Sequence, residues 1–132
     1  MKQFDYSGLA IAQIWNKPRM TELFPSTRWP SGDYIELAVL KLDELLLTTY
    51  FGGRLLEGDE AGLGPWRSIG AQLKSGSVIE LISFLHQPAG QFTLRLDSAS
   101  KREEVIDEVI DSLGLDRSAV LWVAPNRGDE RN

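Results

Sequence analysis

The chain has 132 residues, 19 acidic side chains against 14 basic ones, a formal net charge of −5 and no cysteine. That length fits one domain able to bury a core without covalent staples, and the lack of thiols excludes a disulfide framework, a thiolate nucleophile and a thiolate metal site. The negative balance disfavours direct binding to DNA or RNA, because affinity for phosphate backbones comes largely from lysine and arginine displacing counterions.

In chain order, the first apolar run covers residues 9–15 and is interrupted by Gln13, too short and polar for the hydrophobic region of a signal peptide. No stretch approaches a membrane span, so the expectation is a cytoplasmic protein. Gly8 and Asn16-Lys17-Pro18 bracket the run, which is read as a strand with Trp15 in the core. Residues 18–32 hold Pro18, Pro25, Pro30 and Gly32 and are expected to form an irregular loop that either presents Trp29 or, the favoured reading, uses it with Phe24 to plug the edge of the core. Residues 34–51 fit both a helix and a hairpin. Thr48, Thr49, Tyr50 and Phe51 favour a strand, so the reading is a hairpin turning at 41–44 and ending at Gly52-Gly53. Residues 55–68 read as a flexible acidic loop presenting Trp66, whose glycines lack the Lys-Ser/Thr of a phosphate loop.

Residues 78–123 organise the rest. Two apolar segments, 78–85 and 92–96, flank His86-Gln87-Pro88-Ala89-Gly90, a common hairpin length. With Leu85 opposite Gln91, the register places Ile82, Phe84, Phe92, Leu94 and Leu96 on a core face. Ile79, Leu81, Leu85, Thr93 and Arg95 then share a face only partly covered. Ser100-Lys101-Arg102-Glu103 has the form of a capping box and predicts a helix over 101–113, stopped by Gly114 in a left-handed conformation. At 3.6 residues per turn, Val105, Ile106, Val109, Ile110 and Leu113 form one stripe, and Glu103, Glu104, Asp107, Glu108 and Asp111 lie opposite. Six acids and two bases fall between Ser98 and Asp116, so most of the charge excess sits on and beside this helix.

Residues 119–123 predict a short strand, with Trp122 in the core, ended by Pro125. A right-handed crossover sets it parallel to 92–96 in the same sheet. The polar residues 126–132 are expected to fray. The fold class is therefore α+β: one domain over 1–132, with a largely antiparallel, mixed sheet and a C-terminal amphipathic helix packed on one face.

The chemistry-bearing residues are few. His86 is the one histidine and lies at a hairpin tip, where a solvated turn residue is the commoner role than a general base. The helix acids point outward from one rod rather than converging as hard-cation ligands do. No catalytic, cofactor-binding or metal-binding residue is assigned, and the expectation is a protein that is not an enzyme. Recognition remains: binding to another protein with a basic surface, steered by Glu103, Glu104, Asp107, Glu108 and Asp111 and anchored by Trp29 or Trp66. One concrete version is an immunity-type inhibitor that occludes a basic, nuclease-like toxin site. The alternatives are a self-associating subunit, such as a homodimer through Ile79, Leu81 and Leu85, and a small-molecule pocket near His86 and residues 62–66.

Overall fold

The computed structural model describes residues 20–23 and 29–125; the expected strand at 9–15 with Trp15 and the tail at 126–132 lie outside them. The elements are β1 (Thr21–Leu23), β2 (Tyr34–Lys41), α1 (Glu44–Phe51), β3 (Leu56–Glu60), β4 (Gly64–Gln72), β5 (Val78–Phe84), β6 (Gln91–Asp97), α2 (Val105–Leu113) and β7 (Val120–Val123), with a 3-10 turn at Arg117–Ala119. They form a single α+β domain. The seven-stranded open sheet runs β1-β4-β5-β6-β2-β7, with β3 also on β4, and every neighbouring pair is antiparallel. The crossover through α2 brings β7 parallel to β6 in direction, but β2 lies between them.

One face of the sheet carries Ile69, Ala71, Ile79, Leu81, Leu94, Leu96 and Leu40. They join Leu47 of α1 and Val105, Val109, Ile110 and Leu113 of α2 in one core. The apolar stripe of α2 therefore buries as its spacing predicts. The start of that helix does not follow the capping-box expectation. Glu104 is the N-cap, with φ 68° and no side-chain capping bond. Arg102 bonds the carbonyls of Ala124 and Pro125, each at 2.9 Å, so its side chain ties the segment ahead of α2 to the chain just past β7. Gly114 does close the helix in the left-handed region, with φ 71°.

Three further expectations are corrected. The hairpin register is shifted by one residue: Ile79 faces Leu96, Leu81 faces Leu94 and Ile82 faces Thr93. Gln87 sets this closure, because its backbone N–H donates to the Phe84 carbonyl while its side-chain oxygen accepts from the Phe84 N–H, both at 2.9 Å. A one-residue shift changes which cross-strand neighbours share a face; Ile79 and Leu81 lie fully buried under the helices, whereas Leu85, the third residue of the expected self-association face, is 75% exposed. Residues 44–51 are a helix, not the second arm of a hairpin. Asp43 caps it through the Leu45 N–H and Gly52 ends it at φ 73°, a pairing of caps strong enough to overcome the strand preference of Thr48 to Phe51. The acidic segment 55–68 is no flexible loop but most of the β3–β4 hairpin, turning tightly through Gly62 at φ 84°.

Candidate functional site

Three connections meet at one end of the sheet. The Leu42 N–H donates to the Gly90 carbonyl at 2.8 Å, which ties the β2–α1 junction to the β5–β6 turn. The Leu85 N–H donates to the Pro65 carbonyl at 2.9 Å and ties the same turn to the β3–β4 hairpin. The result is a cleft of about 1020 Å³ bordered by Leu42, Phe84, Leu85 and Phe92, by the acids Asp43, Glu44 and Glu57, and by Lys41 and Arg67. Leu45 is 69% exposed, Leu63 42% and Leu85 75%. Of these only Leu85 lies on the cleft lining; Leu45 stands in the first turn of α1 and Leu63 in the β3–β4 turn.

Arg67 is the organising charge. It stands opposite Glu57 on β3 and Ser83 on β5, forms an ion pair with Glu44 in the first turn of α1 and holds Glu57 at 4.0 Å. Asp43 is already occupied as the cap of α1, its Oδ1 accepting from the Leu45 N–H at 2.9 Å. Trp66 also borders the cleft. Its indole lies over Gly58, where a Cβ would meet the ring at 2.2 Å. Glycine on β3 is thus explained by the tryptophan opposite it. Replacing Gly58 by alanine is expected to force the ring aside at a cost of about 1–3 kcal/mol, the usual range for overpacking. Urea unfolding of Gly58→Ala with and without Trp66→Leu measures this; a penalty that persists in the double variant assigns it to the backbone instead.

The sequence-predicted site residues do not come together. Glu103, Glu104, Asp107 and Asp111 are exposed and Glu108 is half-buried, on and just ahead of the helix that covers the first sheet face. Two of the five are engaged: Asp107 pairs with Arg117 and Glu108 accepts from the Ser75 N–H at 3.2 Å. Beside them, Asp116 is held below the usual carboxylate range by hydrogen bonds from the Ser118 hydroxyl and N–H. Trp66, by contrast, shares a sheet face with Phe84, which lies opposite it on β5, while α2 packs on the other face. Trp29 stacks on Tyr34 with ring centroids 5.4 Å apart, on the same face as Trp66. The acidic helix and the tryptophans Trp29 and Trp66 therefore cannot belong to one flat contact surface. Trp122, assigned to the core from sequence, is 47% exposed between the exposed Leu121 and Val123.

That second face also holds a charged group withdrawn from solvent. Arg95 is almost fully buried, with Glu80 at 3.3 Å and Glu36 at 3.5 Å. Its guanidinium lies 4.4 Å from the centroid of the Tyr34 ring and 5.6 Å from that of Phe84. Burial pushes the Glu80 carboxyl above its ordinary value, against the opposing pull of Arg95 and of the Ser68 hydroxyl. Glu80 Oε2 and Arg95 Nε have no well-formed hydrogen bond, so the pair is held by charge and aromatic stacking more than by complete hydrogen bonding. Asp97 closes this side of the sheet, its Oδ1 accepting from both the N–H and the hydroxyl of Ser31 at 3.0 Å.

His86 is exposed and stacks on Phe84, with centroids 5.7 Å apart. It does not border the cleft, although the small-molecule expectation centred on it anticipated a cavity in this area. Among the described residues no group of three or more His, Asp or Glu side chains could hold a metal ion, and no helix is long and apolar enough to cross a membrane. No family model, curated protein or solved structure matches the chain.

Proposed function

We propose that this protein is a non-catalytic protein-binding module whose docking surface is the cleft at the end of the sheet. The observation that carries the reading is a cleft of about 1020 Å³ whose lining brings the 75% exposed Leu85 together with Pro65, Trp66 and the acids Glu44 and Glu57 from parts of the chain distant in sequence. Isolated surface leucines are ordinary, whereas apolar groups gathered around a concavity mark contact sites. The partner is a protein with a basic surface. A net charge of −5 and the exposed acids of α2 steer it on approach, and Leu85, the exposed leucine on the cleft lining, holds it once docked. The proposed setting is the cytoplasm, and binding acts by occlusion or tethering, with no group transferred.

A selection from a random peptide display library on immobilised protein tests this. The wild type is expected to enrich a peptide family, and Leu45→Glu/Leu85→Glu to lose it while unfolding normally in urea. Enrichment that ignores both substitutions assigns docking elsewhere. The version in which α2 plugs a basic, nuclease-like toxin site rests on the exposed Glu103, Glu104, Asp107 and Asp111. It separates cleanly, because reversing those charges would then abolish binding while the leucine changes would not.

A further inference from the structure

We infer that Glu80, Arg95 and Glu36 form a proton-binding site on the second sheet face, in which uptake of one proton by Glu80 hands the Arg95 guanidinium over to Glu36. The inference is independent of the docking reading. Two carboxylates flank one guanidinium, Glu80 at 3.3 Å and Glu36 at 3.5 Å, so the cluster carries a surplus negative charge. The Glu36 side chain is 53% exposed to water and that of Glu80 only 1%, so the surplus weighs on the carboxylate that solvent does not reach. Among the described residues, the other ionisable groups facing the pair do not relieve it. Glu60 of β3 adds repulsion, Asp97 of β6 is occupied by Ser31 and by the Ala99 N–H, and Tyr34 of β2 offers the guanidinium its ring. The buried Glu80 Oε2 has no hydrogen-bond partner among the described residues, so it is the oxygen open to a proton. Burial holds this carboxyl above its ordinary value of 4.5. The folded chain therefore takes the proton more readily than the unfolded one, and the handover needs no unfolding. Movement of Arg95 is carried outward through the Tyr34 ring, 4.4 Å from the guanidinium, to Trp29, whose ring centroid lies 5.4 Å from that of Tyr34.

The full chain, labelled for NMR, is titrated downward from neutral pH while the carboxyl carbons of Glu80 and Glu36, the Arg95 Nε–H and the Trp29 indole N–H are followed. Glu80 is expected to protonate above pH 4.5, with the Arg95 and Trp29 signals moving at the same midpoint. Glu36→Gln, at an exposed position, removes the surplus and is expected to lower that midpoint by roughly 0.5–1 pH unit. Glu103→Gln, which takes the same charge from the opposite side of the sheet, is expected to leave it within about 0.2 unit. Glu80→Gln, a neutral isostere of the protonated acid, is expected to hold the Arg95 signal at its low-pH position throughout.

A Glu80 carboxyl that stays ionised down to pH 4.5, or an Arg95 signal that follows the titration of Glu36 instead, would overturn the inference. So would equal shifts in Glu36→Gln and Glu103→Gln, which reduce the effect to net charge. Loss of the folded signals in step with Glu80 protonation would overturn it as well, because the proton would then unfold the chain instead of moving a guanidinium. The wild-type titration and Glu36→Gln decide the matter even if Glu80→Gln does not fold.

Discussion

Arg95→Ala is expected to destabilise the protein by about 3–5 kcal/mol, the cost of leaving a buried charge without its partner. Glu80 is 1% exposed and Arg95 4%, and Arg95 supplies the nearest opposite charge to a carboxyl that burial already holds above its ordinary value of 4.5. Between 4.5 and that raised value the folded protein binds more protons than the unfolded chain, so stability falls as pH rises through this window. Removing Arg95 takes away the main influence that keeps the carboxyl ionised and widens the window. The deficit of Arg95→Ala, measured by urea unfolding, is therefore expected to shrink as pH falls toward 4.5. Glu80→Leu/Arg95→Met is expected to regain most of the loss, because a packed apolar pair carries no desolvation cost. A pH-independent deficit, or a double variant no better than the single one, would show that Arg95 stabilises through its stacking on Tyr34 and Phe84 rather than through charge.

Leu47→Ala carries the second large effect. Leu47 is the fully buried residue of α1, and truncating a leucine in a close-packed core costs about 2–5 kcal/mol. The loss falls on the element that presents Asp43 and Glu44 to the cleft. Stability and peptide binding should fall together, and the amides of α1 should exchange with solvent earlier than those of β5 and β6. A loss below about 1 kcal/mol would mean that the site collapses around the smaller side chain. Intact binding would mean that α1 does not position the acids.

The physics that made parts of this fold readable also explains what stayed hidden. The α2 stripe and its terminal Gly114 were legible because one helix face meets one sheet face, and periodicity reports that directly. The β5–β6 hairpin was legible in its existence but not in its register, because a side-chain bond from Gln87 fixes the closure and apolar alternation does not record such a bond. For α1 the signal was present in Asp43 and Gly52, yet the β-branched and aromatic residues between them pointed the other way; the two caps together with the burial of Leu47 decided it. The β3 strand was masked by Gly58, Asp59 and Glu60, poor strand formers by composition. Gly58 makes sense only once the Trp66 ring is seen against it. Of the candidate site, the exposed acids of α2 were found where expected, and Trp66 does border the cleft. Leu85 was read as part of a partly covered hairpin face, and the Glu44–Arg67–Glu57 group was missed, since it forms only when α1 and the β3–β4 hairpin fold to the same end.

The outer border of the sheet carries its own consequence. On β7, Val120 lies opposite Leu40 and Trp122 opposite Val39, so Leu121 is an extra residue with no counterpart on β2. A foreign backbone laid along this rim would match its hydrogen-bonding groups for a step or two and then fall out of phase. Three greasy side chains can thus stand in water at the margin without seeding a fibril, guarded by one misplaced residue rather than by charge.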